Sequence, residues 1–243
     1  MDVVDLREFY TTPLGMAARR LVARRLHSRW PSIKNMRLLG IGYANPYLES
    51  FQAEASHCIS FMPARLGAMS WPDEGPNKTA LVDEAQLPLP DSSIDFALII
   101  HSLELTQEPT GLLNEVFRIL APQGRALFVV PNRRGLWARF DSTPFGHGQP
   151  YSKSQLNLLL RDAQFSTIGW SDCLFMPPID RKICIRSSLL LERAGLSLGA
   201  GFSGLIMAEV VKQVYALPPG KRARRLLPQF RPVLQPTPAL LKP

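Results

Sequence analysis

The 243-residue chain, 27.1 kDa with 46% hydrophobic residues, is long enough to bury a sizeable core in one large domain. Those values exclude a collagenous, disordered or small disulfide-stapled protein. Its 28 Lys and Arg against 20 Asp and Glu give a net charge of +8, and that charge is uneven. Residues 1–31 carry +3 and residues 210–243 carry +7, so the middle of the chain is close to neutral. The basic ends are candidates for contact with an anionic partner, and the body is not a nucleic-acid-binding surface.

In chain order, Leu14, Ala18, Leu21, Val22 and Leu26 recur at helical spacing from Pro13 to Pro31. Residues 1–31 therefore read as a helical segment, a lid in one reading. The pattern then changes to short apolar runs separated by helical stretches. Met36–Ile41, His57–Met62, Thr79–Val82, Phe96–Ile100 and Ala126–Val130 each predict a buried strand. Leu112, Leu113, Val116, Phe117 and Leu120 share one helix face, and a further helix is expected over 154–163. Strands are also expected over 167–175 and 208–217. This alternation predicts an α/β fold with a parallel sheet covered on both sides. Residues 176–207 interrupt it and read as an insertion over the active site, and 218–243 read as a basic, Pro-rich tail.

No uncharged apolar run reaches the ~20 residues of a membrane span. The longest candidate, 194–211, contains four glycines and Glu209. It reads as a lid or packing segment, with a membrane-facing role as the alternative. Cys58, Cys173 and Cys184 lack metal-ligand spacing and form an odd set, as expected of reduced thiols in a cytoplasmic protein with no metal site. The N-terminus has no basic region followed by an apolar one, so no secretory signal is expected.

Ligands of a parallel sheet collect at the carboxyl ends of its strands. After the first run comes Gly40-Ile41-Gly42-Tyr43-Ala44-Asn45-Pro46, in which glycines permit close backbone approach and Asn45 suits a helix cap. A tight strand-to-helix turn made only for packing has the same sequence. After the third run, Asp83 and Glu84 precede a Pro-fixed turn; they suit an exocyclic amine, and Asp83 equally suits a turn. Asp95 reads as a turn or cap residue.

The segment from Asp83 to Asp95 is followed by Leu113-Asn114-Glu115-Val116-Phe117-Arg118-Ile119-Leu120-Ala121-Pro122-Gln123-Gly124-Arg125 and a strand ending Pro131-Asn132. Together they resemble the class I S-adenosylmethionine-dependent methyltransferases, in particular the small-molecule type related to quinone-biosynthesis enzymes. The resemblance spans roughly residues 36–165. It implies a Rossmann-like, seven-stranded doubly wound sheet with an antiparallel last strand, and a methyltransferase domain over 32–217. It implies S-adenosylmethionine as cofactor and a small-molecule acceptor. Gly40, Gly42, Tyr43 and Ala44 would contact the methionine moiety, and Met62 and Pro63 the ribose and adenine. Asp83 and Glu84 would face the adenine amine, with His101 and Ser102 by the sulfonium. The chain departs from the family at Gly40, where an acid is usual, at Ala44 and Pro46, where glycines are usual, and at Met62, where an acid usually grips the ribose. Tyr10 or Tyr43 are candidates to hold the ribose instead.

Methyl transfer needs alignment, and a base only where the acceptor loses a proton. Candidates for the base are His101, Glu104, His147 and Tyr151. His101 also reads as a histidine satisfying backbone groups at a strand end, and His147 as a solvated loop residue. Arg133, Arg134 and Trp137 are candidates for acceptor contact or an ordinary helix start. Two alternatives stand beside small-molecule methyl transfer: an RNA or protein methyltransferase docking through its basic ends, and a non-catalytic interaction protein with a degenerate methyltransferase fold.

Overall fold

In the computed structural model, which describes residues 1–198 and 200–213, seven strands form one sheet. They are β1 (Arg37–Gly42), β2 (His57–Pro63), β3 (Thr79–Val82), β4 (Ile94–Ile100), β5 (Leu120–Pro131), β6 (Ser166–Cys173) and β7 (Leu205–Val211). Their order is β3-β2-β1-β4-β5-β7-β6, and the described pairings are parallel except those of β7, which lies antiparallel between β5 and β6. This is the doubly wound α/β sheet with an antiparallel seventh strand that the resemblance implies. The chain leaves β1 for β2 on one side and returns to β4 on the other. The crevice at the carboxyl ends of β1 and β4 is therefore the switch point of the sheet.

Strand periodicity builds two cores. Leu38, Leu98, Ile100, Leu127 and Val129 point to one face; Leu39, Ile41, Ala97, Ile99, Phe128 and Val130 point to the other. The second face is covered by α4 (Pro109–Ile119), through Leu112, Leu113, Val116 and Ile119, and by α5 (Lys153–Asp162), through Leu156 and Leu160. The first is covered by α1 (Val3–Thr11), α2 (Pro13–Arg29) and the short α3 (Asn45–Leu48).

The N-terminal segment thus holds two helices, one more than the apolar spacing predicts. Asp2 and Asp5 form a capping box that starts α1, and Thr12 caps α2 with Pro13 in its first turn. Gly15 makes the turn between them tight enough that a Cβ there would lie 1.9 Å from the Phe9 carbonyl oxygen.

At the far end of α2, Arg29 donates to Ser171 Oγ (2.8 Å) and to the Trp170 carbonyl. It also lies 3.5 Å from the Glu209 carboxylate in β7. Trp30 Nε1 and Arg125 donate to the same carboxylate, each at 3.2 Å. Glu209 is a buried charge compensated from three sides, which is why a central strand tolerates it.

Strand β7 begins three residues before the expected position. Residues 214–217 of that expectation and the basic tail 218–243 lie outside the described residues. Between β6 and β7 the chain forms α6 (Lys182–Arg186), α7 (Ser188–Leu198) and a 3-10 turn, Ala200–Phe202. Cys58, Cys173 and Cys184 are all free; burial pushes the Cys58 thiol up to about 11, and that of Cys173 well above its ordinary value.

Candidate active site

At the carboxyl end of β4 the backbone of His101 turns into the left-handed region, with φ of +52°, uncommon for a residue other than glycine. Its side chain is fully buried, as is that of Ser102, and Glu104 is 2% exposed. The His101 ring packs 4.9 Å from Phe145 on one side and 5.8 Å from Tyr10 on another, centroid to centroid. Tyr10 comes from α1. It stacks on Tyr43 at 5.7 Å, so α1 roofs the switch point.

The polar contacts form a chain. Tyr10 Oη lies 2.8 Å from His101 Nε2 and 2.9 Å from Tyr47 Oη, while His101 Nδ1 is 3.6 Å from Glu104 Oε1. Burial, then the neighbouring Tyr47, holds the Tyr10 hydroxyl well above its ordinary value, and burial does the same for Tyr47. Both tyrosines therefore keep their protons at neutral pH. A proton on Nδ1, the nitrogen facing the carboxylate, leaves Nε2 as an acceptor. Tyr10 then donates to His101 and Tyr47 to Tyr10.

His101 Nδ1, Ser102 Oγ and both Glu104 carboxylate oxygens are buried without a hydrogen-bond partner in the protein. Each such group costs about 1–3 kcal/mol. A cluster of them at a strained strand end is where a ligand or a reaction is sought first.

Two hollows flank this buried cluster. One, of about 450 Å³, is lined by Pro63, Arg65, Asp83, Glu84, Thr106 and Glu108 at the ends of β2 and β3. Arg65 straps it, pairing with Glu84 at 2.8 Å and donating to the Ser102 carbonyl at 3.1 Å. Asp83 is exposed and accepts from the Ala85 N–H at 2.9 Å as a turn residue does. The other, of about 420 Å³, lies beyond Tyr10 and Tyr43 and is lined also by Arg7, Arg19 and Trp71, whose buried Nε1 has no partner.

Of the predicted residues, His101, Ser102 and Glu104 converge, with Tyr43 beside them. Pro63, Asp83 and Glu84 converge on the first hollow. Gly40 and Gly42 are filled in by protein: a Cβ on Gly42 would lie 2.1 Å from the Ile100 carbonyl oxygen, and one on Gly40 would lie 2.7 Å from Ala44 and Leu48. Ala44 and Met62 are core residues, and Met62 presents no polar group where the ribose was expected.

His147 does not join the chamber. It lines a separate hollow with Asp5, Phe9 and Pro144. Tyr151 spends its hydroxyl on the Leu103 carbonyl at 3.3 Å. Asn45 caps nothing; its side chain instead accepts from Ser60 Oγ. Trp137 is buried, donating to the Met176 carbonyl at 2.7 Å, which removes it from acceptor contact. Tyr47, Arg65 and Phe145 were not foreseen, because each acts on residues distant in sequence.

Residues 16–168 match the family described as methyltransferase domain. The chain belongs to that family. This methyltransferase-domain protein also shares its fold with solved structures. A SAM-dependent methyltransferase from Thermotoga maritima is 17% identical, with a TM-score of 0.62 over 87% of this chain and 96% of that one. A methyltransferase from Haloferax volcanii, solved with the Trm112 methyltransferase activator, is 16% identical, with a TM-score of 0.61 over 88% and 99%. A SAM-dependent methyltransferase from Archaeoglobus fulgidus is 19% identical, with a TM-score of 0.56 over 80% and 94%. These three likenesses concern the fold. No curated protein matches the chain.

The family implies S-adenosylmethionine as cofactor, and the chemistry of the residues present can be compared with its parts. The strapped hollow offers Asp83 and Glu84 to a base. The unpartnered Ser102 Oγ and Glu104 oxygens suit an amino-acid end in chemistry, and both side chains are enclosed by protein in this arrangement. The end of β2 offers no carboxylate to the ribose, so the fit is weakest in the middle.

Proposed function

We propose that this protein is an S-adenosylmethionine-dependent methyltransferase acting on a small-molecule acceptor in the chamber beneath α1. The observation that carries the reading is the set of buried, unpartnered polar atoms of His101, Ser102 and Glu104 at the switch point of a methyltransferase-family sheet. When bound, the cofactor supplies an electrophilic methyl group. Asp83 and Glu84 hold its base, and Ser102 with Glu104 and Tyr43 hold its amino-acid end.

His101 Nε2 takes the proton from an acceptor N–H or O–H, and Glu104 stabilises the resulting imidazolium through Nδ1. In the closed arrangement Tyr10 occupies Nε2, so α1 must withdraw before an acceptor reaches the base. Phe9, Phe145 and Tyr43 line the approach and select apolar or aromatic acceptors. The free thiols of Cys58, Cys173 and Cys184 suit a cytoplasmic setting.

Calorimetric titration of the folded protein with S-adenosylmethionine and S-adenosylhomocysteine tests this. Binding is expected, with affinity reduced about tenfold or more in Asp83→Ala. Absence of heat at millimolar ligand favours the second reading, a non-catalytic protein with a degenerate donor site. The missing acid at the end of β2 is the observation behind that reading.

A further inference from the structure

The crossover between β6 and β7 packs Ile185 and Leu191 against the core and leaves both apolar and basic side chains exposed. On α7 the inward face carries Ser188 and Glu192, whose carboxylate accepts from the backbone N–H groups of Leu174 (3.2 Å) and Phe175 (2.9 Å). Leu189 and Leu196 are partly exposed beside Glu192, where they border a hollow against α2, and Leu190 points away from that hollow. Leu190 is 68% exposed, Ile183 on α6 72%, and Phe202 in the following turn 74%. Helices α6 and α7 and that turn touch in succession, so these exposed side chains sit on consecutive elements of one crossover. Exposed clusters of large aliphatic and aromatic groups mark interaction sites more often than accident.

The same surface is rimmed by positive charge. Arg181, Lys182, Arg186 and Arg193 are exposed, and between residues 181 and 204 the only acid is the buried Glu192. From α2, Arg24 and Arg25 face Leu189 and Leu196 across a hollow of about 430 Å³. Because β6 runs parallel to β1 and β4, this surface leaves the sheet at the edge where His101 lies.

We infer that the α6–α7 face docks on an anionic phospholipid bilayer. The basic rim meets headgroup phosphates while Ile183, Leu190 and Phe202 enter the acyl boundary, the division of labour of an interfacial helix. Two other occupants are opposed by charge. A second copy would bring two basic rims together. Residues 214–243 hold six Lys and Arg and no acid, so they too are repelled by the rim. An anionic surface complements all of these groups. The inference is independent of donor chemistry.

The test is cosedimentation of the full chain with phosphatidylcholine vesicles, with and without phosphatidylglycerol, in the absence of cofactor. Binding is expected only with phosphatidylglycerol and falls with added salt. The double variant Leu190→Asp, Phe202→Asp is expected to bind about tenfold more weakly or worse with an unchanged melting curve. Arg186→Gln with Arg193→Gln is expected to weaken binding and flatten its salt dependence, which keeps the test decisive if the first variant misfolds. The inference is overturned if the full chain stays in the supernatant with anionic vesicles. It is also overturned if both double variants bind as wild type, leaving the tail as the contact. A third contradicting outcome is a dimer in solution that Leu190→Asp makes monomeric with vesicle binding intact.

Discussion

Single side chains decide how the chamber is closed and how the molecule responds to acid. Tyr10 is the residue of α1 that reaches His101 Nε2, and Tyr10→Phe keeps the ring packing while removing the bond. The loss of that buried partner is expected to cost about 1–3 kcal/mol. Amide exchange over residues 3–11 should rise about tenfold or more; unchanged exchange there would mean that the hydroxyl does not hold the lid.

Asp95, expected as a turn or cap residue, instead accepts from Arg37 at Nε (2.9 Å), Nη2 (2.8 Å) and the backbone N–H (2.9 Å). Those bonds, the side-chain one first, hold its carboxyl below the usual range. Because the folded value lies below the unfolded one, the stabilisation is full above the ordinary aspartate value of about 3.9 and is lost as pH falls through the folded value. Asp95→Asn is expected to lower stability by about 1–2 kcal/mol at pH 7, a figure discounted for the exposure of Arg37. Denaturant titrations at falling pH should show the gap closing below about pH 4. Neither Tyr10 to His101 nor Arg37 to Asp95 is legible in the sequence, since the partners are 91 and 58 residues apart.

At the scale of elements, the first five strands were legible because apolar runs of four to six residues between turn formers have few other homes in an α/β chain. Thr79–Val82 coincides with β3, and His57–Met62 and Phe96–Ile100 lie within β2 and β4. Helix α1 falls within the 1–31 helical segment but is not separable from α2 in the sequence, because its buried residues, Val3, Leu6, Phe9 and Tyr10, fill barely two turns and are interleaved with acids. The Asp2 and Asp5 pair was the available signal. Strand β7 was placed late because the glycines before it dilute its apolar run.

The Gly40 to Gly42 turn admits two readings, and the structure gives each glycine a packing reason, Gly40 against Ala44 and Leu48 and Gly42 against the end of β4. Gly42→Ala puts a Cβ into the Ile100 carbonyl at a φ of +88°. It is expected to lower stability by about 3 kcal/mol or more, read by thermal or denaturant melting. A shift under about 0.5 kcal/mol would show that the turn relaxes and that its glycines serve something other than packing.

For the whole molecule, the seven-stranded sheet and its reversed last strand follow from family resemblance to a short Pro-Gly element and the acids before it. Periodicity supplied only the α/β alternation. Six of the eight net positive charges fall in residues 214–243, and within the described residues basic side chains gather on α2 and the α6–α7 crossover, away from the carboxylates lining the β2 to β3 hollow. The central claim is that the chamber around His101, closed by α1, is where the donor and acceptor meet. The chain has four histidines, His27, His57, His101 and His147, so its imidazole nitrogens can be followed individually by ¹⁵N NMR of the full-length protein. On saturation with S-adenosylhomocysteine the His101 Nδ1 and Nε2 signals are expected to move, reporting new contacts near Glu104 and a changed bond to Tyr10, while His27 and His57 stay in place. Saturated binding with the His101 signals unmoved would contradict the account and place the donor elsewhere.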